Sequence, residues 1–143
     1  MNHQRKGFTL VELLVVIAII GILSSVVLAS LNSARSKGAD ANIKSNLNNL
    51  RTQAALYYDT NNHYGMSSGS TTDTTACATG LFADPTVGQM IASIKSTCVA
   101  LSCVSGQYGY VVSAALKSSG NWCVDYTGSA TSTTANLTNG KCN

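Results

Sequence analysis

From Leu13 to Ala34 the chain carries no charged residue, and this stretch constrains what it can become more than any other. As a helix rising about 1.5 Å per residue it would cover roughly 33 Å, about one hydrocarbon core of a bilayer. One acid, Glu12, stands at its edge. The polar start MNHQRKG places Arg5 and Lys6 just before it, so an N-terminus on the cytoplasmic side is expected. The 45% apolar content of the 143 residues is ordinary, but much of it lies between Phe8 and Leu31. The rest is rich in Ser, Thr, Asn, Gly and Ala. Two of the positive charges behind the net +3 are Arg5 and Lys6, so the remainder is nearly neutral. That excludes the clustered basic face that nucleic acids usually require, and it suits a body that packs against copies of itself.

Beyond Ala34, the residues Ile43, Leu47, Leu50, Ala54 and Tyr57 step by four, three, four and three. This is the spacing of an amphipathic helix with one apolar stripe. The first proline is Pro85, so one long helix is expected from about Phe8 to about Asp59, apolar all round at first and one-sided later. Gly38 is a weak point costing about 1 kcal/mol against alanine, where a bend is expected. TNNHYG supplies stop signals.

The rest, residues 63–143, reads as a small head. SSGSTTDTTACATG is loop. DPTVGQMIASIKS opens with Asp84 as a cap and Pro85 at the first helical position, which predicts a short helix. QYGYVVSAAL and NWCVDYT are strand-like, with KSSGN as the turn of an antiparallel hairpin. SATSTTANLTNGKCN is either a Thr-rich edge strand or a loop. So small a head should lean on the apolar stripe and on disulfides. The fold class expected is α+β: a long N-terminal helix with a small antiparallel sheet packed on its C-terminal half.

A secretory signal cleaved after VLA at Ala29 would explain the apolar run, and so would a plain single-pass anchor. Neither explains Glu12, which costs roughly 2.5–3.5 kcal/mol deep in a bilayer. Neither explains an amphipathic helix continuing in phase past Ala29. KGFTLVE followed by an apolar run is similar to the N-terminal signature of type IV pilins and related pseudopilins. The resemblance is close over about Lys6 to Leu23 and only architectural over the head. It implies cleavage by prepilin peptidase after Gly7, N-methylation of the new terminus Phe8, and an assembly role for Glu12. The amine of Phe8 in one subunit would pair with Glu12 of a neighbour and set the axial register of adjacent helices.

On that basis the expected segments are 1–7 leader, 8–34 membrane and filament-core helix, 35–62 amphipathic half, and 63–143 disulfide-containing head. Implied partners are the chain itself as a helical homopolymer, prepilin peptidase, an assembly platform, a motor ATPase, and the cytoplasmic membrane before assembly. Export to an extracellular filament is implied, and DNA is not indicated as a ligand. Alternatives are a pseudopilin of a type II secretion system and, in a different class, an anchored or secreted monomeric binding module. The head lacks the acidic, calcium-binding C-terminal loop typical of the major pseudopilin, since Asp125 is the one acid after Pro85.

Gly21, Ser25, Ala29 and Ser33 fall on one helix face, where small residues allow close approach of a neighbouring helix. The same spacing also arises in any membrane helix. Gly21, with Ser24 and Ser25, is where such a helix would unwind on packing. Ala29 stands where many pilus subunits carry a helix-breaking proline.

All five cysteines lie in the second half: Cys77, Cys98, Cys103, Cys123 and Cys142. None has zinc or redox spacing, which argues for disulfides in an oxidising compartment. An odd number leaves at least one thiol free or intermolecular. The preferred pairings are Cys123 with Cys142, and Cys77 with Cys98 or Cys103. His3 falls in the leader, His63 reads as a loop residue, Asp59 and Asp73 flank its loop, and NLT at Asn136 is a short sequon match. No catalytic, phosphate-binding, metal or cofactor motif is found, so a structural protein is expected rather than an enzyme.

Overall fold

The computed structural model describes residues 7–65, 77–137 and 139–143. The expected leader lies outside them apart from Gly7, as does the loop reading of residues 67–76. By its internal contacts the chain divides into two units that meet between Arg35 and Ser36.

One helix, α1, runs over Leu10–Asn61, 52 residues without a break. It passes through Gly21, Ala29 and Gly38 in continuous helix, and Asn62 closes it with a left-handed φ of 60°. The ends lie two residues beyond those expected. In the first unit the apolar side chains stand exposed, from Phe8 at 83% to Leu31 at 44%. This part of α1 is long and apolar enough to cross a membrane.

In the second unit the stripe does the work that its spacing implies. Ile43, Leu47, Leu50 and Ala54 are wholly buried, and Tyr57 packs at the edge of the same core. A 3₁₀ turn at Gly80–Ala83 leads into α2, Pro85–Thr97. Asp84 caps α2, its Oδ1 accepting from the N–H groups of Thr86 (2.9 Å) and Val87 (3.1 Å), with Pro85 following at the first position. Val87, Ile91 and Ile94, spaced for one helical face, close on the core.

Four strands follow as an antiparallel meander in the order β1 (Leu101–Ser105), β2 (Tyr110–Ala115), β3 (Asn121–Asp125) and β4 (Ala130–Thr131). β2 and β3 form the hairpin read around KSSGN, with Val112 opposite Val124. β1 is a strand that the sequence reading left unassigned. The ambiguous tail resolves into β4 and a two-stranded ribbon of β5 (Ala135–Asn136) and β6 (Lys141–Cys142).

The sheet is covered on both faces, which is why five of the six residues of β2 are buried. Tyr110, Val112, Ala114 and Val124 join the core built on α1. Val111, Cys123 and Val104 face the other way and are covered by Ala135, Leu137 and Cys142 of the ribbon. Beneath the first layer the backbone is pinched at Gly80. A Cβ there would lie 2.7 Å from both the Gly65 Cα and the Tyr64 carbonyl oxygen, and Gly80 has a φ of +57°. Only glycine allows that crossing, which lets the N–H of Leu81 donate to the Tyr64 carbonyl at 2.6 Å.

Two disulfides fasten the layers. Cys77–Cys103 joins the segment before the 3₁₀ turn to β1, with Cα atoms 5.7 Å apart. Cys123–Cys142 joins β3 to β6, at 5.8 Å. They close loops of 26 and 19 residues. Each should restrict the unfolded chain by about 3 kcal/mol.

Two measurements on the full chain in micelles check this core, with the single tryptophan, Trp122, reporting on the second unit. Leu47→Ala should lower its urea-unfolding free energy by about 2–5 kcal/mol. Reduction should lower the same transition by about 3 kcal/mol per bridge and leave the helical signal of α1 residues 10–35 in place.

Candidate functional site

The candidate site begins at the start of α1. Thr9 is the N-cap and Glu12 the third helical residue. The Thr9 N–H and hydroxyl both donate to Glu12 Oε2, at 2.9 and 2.8 Å, and the Glu12 N–H donates to Thr9 Oγ1 at 3.2 Å. This reciprocal arrangement is a capping box. It satisfies donors that a helix end leaves open and sets a negative charge beside the positive end of the helix dipole. The spacing T-x-x-E at Thr9–Glu12 was there to be read and would have supplied it. Gly7 and Phe8 precede the cap in non-helical backbone, with the Phe8 ring exposed. The peptide bond between them is therefore outside the helix.

The small residues Gly21, Ser25, Ala29 and Ser33 lie on the same helix and are exposed. A Cβ added at Gly21 would meet nothing within 4 Å. The Ser25 hydroxyl donates to the Ile22 carbonyl at 2.8 Å, so its one strong donor is spent within the helix.

In the head, Cys98 carries a free thiol at the C-cap of α2, half-buried. Burial pushes that thiol up from its ordinary range, with Lys95 acting weakly in the other direction. His63 lies just past the end of α1, near the Tyr57 ring, with its Nδ1 buried and without a hydrogen-bond partner.

Two buried carboxylates that the sequence reading did not single out hold the head in place. Asp40 is 5% exposed. Its oxygens accept from the N–H of Lys117 (2.7 Å), the N–H of Ser118 (3.1 Å) and the Ser118 hydroxyl. It thus ties the β2–β3 turn to α1. The signal was its phase: Asp40 sits three residues before Ile43, on the apolar stripe itself. Asp125 is 2% exposed. Its Oδ1 accepts from the Thr127 N–H (2.9 Å) and hydroxyl (2.6 Å) and from the Ser129 N–H, while Oδ2 accepts from the Cys142 N–H at 2.9 Å. One acid therefore organises the β3–β4 turn and holds the strand that carries the second disulfide.

Burial alone would raise both acids. For Asp40 the Ser118 and Lys117 donors and the charge of Lys44 outweigh it, and for Asp125 the Thr127, Cys142 and Ser129 donors do so. Both stay below the ordinary aspartate value of 3.8. Nearby, the Lys44 ammonium lies 4.7 Å from the Trp122 ring centroid, a cation–π contact across the helix–sheet boundary.

The geometry of the N-terminal segment can now be set beside known proteins. A family model described as the prokaryotic N-terminal methylation motif matches residues 2–28. The chain carries that motif. Among curated relatives, it is 42% identical over 62 residues to the type IV wide pilus major component PilA4 of Thermus thermophilus, which covers 43% of this chain and 47% of the relative. It is 32% identical over 63 residues to the type IV major pilin protein PilA of Myxococcus xanthus, covering 44% of this chain and 29% of the relative. It is 34% identical over 64 residues to the type II secretion system core protein G of Dickeya chrysanthemi, covering 45% and 42%. The chain spans less than half the length of each relative. No solved structure gives a significant match.

The two aspartates predict a defined acid response. A carboxyl whose folded-state value is depressed contributes stability above its ordinary value and loses it as pH falls through the folded one. Stability of the head, followed by urea unfolding, should therefore be flat from pH 7 to about 5 and fall below about pH 4. Asp40→Asn should cost about 1–3 kcal/mol at pH 7, because the amide has one acceptor oxygen for three donors, and should flatten the acid limb.

Proposed function

We propose that this chain is a pilin, the structural subunit of a type IV pilus-like filament. The observation that carries this reading is the methylation motif joined to a helix start in which a lone acid is held in place ahead of an uncharged apolar run. Prepilin peptidase cuts between Gly7 and Phe8, in the extended segment ahead of the cap. Phe8 is then N-methylated. The subunit waits in the cytoplasmic membrane, N-terminus inside, with residues 8–34 spanning the bilayer.

Polymerisation withdraws that apolar surface from lipid and buries it against other subunits. An unpaired buried carboxylate is expensive, and one paired with a charged amine much less so. The Phe8 amine of a neighbour therefore gives Glu12 its counter-ion, and the pair sets one axial offset while penalising others. Gly21, Ser25, Ala29 and Ser33 supply a face on which a second helix approaches closely. Residues 35–62 carry the head, 63–143, out to the filament surface. An assembly platform and a motor ATPase drive the process.

The relative in Dickeya chrysanthemi favours a second reading, a pseudopilin of a type II secretion system. The single acid after Pro85 weighs against it, because the acidic C-terminal loop expected of the major pseudopilin has no counterpart here.

Mass spectrometry of the protein from its native host should find N-methylated Phe8 as the first residue. A start at Ser30, or a retained Met1, would instead indicate an ordinary secreted or anchored module. Glu12→Leu should leave the protein in the membrane and remove surface filaments in electron micrographs. Normal filaments from that variant would discard the register role. Loss of protein secretion without loss of surface filaments in a deletion strain would favour the pseudopilin.

A further inference from the structure

Within the second unit, a cavity of about 220 Å³ opens between the β1–β2 turn, the end of β3 and the C-terminal loop. Neither the core nor the proposed assembly uses it. Two tyrosines stand at its wall, Tyr108 at 69% and Tyr126 at 38% exposure. Exposed large rings are costly to leave in water and are common where a polar ligand with an apolar face is held.

The Tyr126 ring is seated by its neighbour. A Cβ at Gly109 would lie 2.7 Å from ring atom Cδ1, so the ring rests where only glycine leaves room. Gly106 and Gly140 line the cavity as well, and a Cβ would meet nothing closer than 3.9 Å at Gly106 and nothing within 4 Å at Gly140. That wall is therefore bare backbone with free space beside it. Asn139 adds an amide whose Oδ1 is occupied by the Lys141 N–H at 3.0 Å, and whose NH₂ is a donor. The Lys141 ammonium lies 6.0 Å from the Tyr126 ring centroid.

These groups select one ligand chemistry. A purely apolar ligand would strand the amide and the ammonium. A linear polyanion would meet one cation. A pyranose has an apolar face of C–H bonds to lay on a tyrosine ring, and hydroxyls at its rim for an amide, an ammonium and peptide groups. The volume lies below the roughly 300–1,000 Å³ of drug-sized sites, which suits a single ring. We propose that this cavity binds the pyranose ring of a surface glycan. The inference rests on the head's own geometry and not on filament assembly, so it stands or falls apart from the pilin reading.

The full chain in zwitterionic detergent is the right sample, because sugar-headed detergents would compete. Saturation-transfer NMR with methyl β-galactopyranoside, methyl β-glucopyranoside and methyl α-mannopyranoside as probes should show transfer to the ring C–H protons of at least one. Tyr108→Ala removes an exposed side chain, so the fold is kept, and it should weaken that binding roughly threefold to tenfold. Asn139→Ala should weaken it as well, whereas Val99→Ala, an exposed residue of a different loop, should not. No transfer to any probe would overturn the proposal. So would transfer that survives both Tyr108→Ala and Asn139→Ala. Shifts at Tyr126 that follow protein concentration without sugar would assign the cavity to a second copy of the chain, and would overturn it too.

Discussion

The second unit depends on one act of burial. Ile43, Leu47, Leu50 and Ala54 of α1 are removed from water by the sheet and by α2. At about 25 cal/mol per Å² of apolar surface, this is the main favourable term open to a head so small. Everything else in the unit either completes that burial or fixes its geometry. α2 brings Val87, Ile91 and Ile94 to the same core. The sheet contributes one face to it, and the β5–β6 ribbon covers the face left over. Without a helix of this phase, β2 would expose a row of valines and alanines.

Burial is non-directional, and the two aspartates supply direction. Asp40 is placed on the stripe, where a carboxylate is unwelcome unless its oxygens are filled. The Lys117 and Ser118 donors fill them, so the position of the β2–β3 turn along α1 is specified by the need to satisfy one acid. A slip of the sheet along the helix would leave that charge buried and unmatched. Asp125 does the same for the second layer, linking a turn through Thr127 and Ser129 to the backbone of Cys142. The disulfide to Cys123 then closes over a geometry that hydrogen bonds already define.

What the sequence made legible follows from how local each signal is. The long helix could be read because its apolar spacing holds over many turns, and α2 because Asp84–Pro85 is a start signal complete in itself. The β2–β3 hairpin was legible from two alternating runs around one turn. β1 was not, because LSCVS mixes serine into a five-residue run and becomes a strand only by pairing with β2. The tail was ambiguous because its strands have two residues each and are held by the Cys123–Cys142 bridge and Asp125 rather than by their own propensity. Asp40 escaped notice because charge was taken as a mark of surface. Its place in the three-four stepping of the stripe carried the opposite message.

At the other end of α1 the same physics works with fewer partners. Glu12 has two carboxylate oxygens, and both Thr9 donors fall on Oε2. The acid is thus held against its own helix start while Oε1 makes neither of those bonds. A subunit in a membrane gains from this, because a carboxylate that receives two hydrogen bonds beside a helix N-terminus is less costly than a bare one. An incoming amine would add a bond to Oε1 without undoing the cap. The pairing proposed for assembly therefore does not require the first turn of α1 to unravel. The rotamer that caps the helix is also one that leaves the second oxygen for a neighbour, so the local fold and the proposed register device ask the same thing of Glu12.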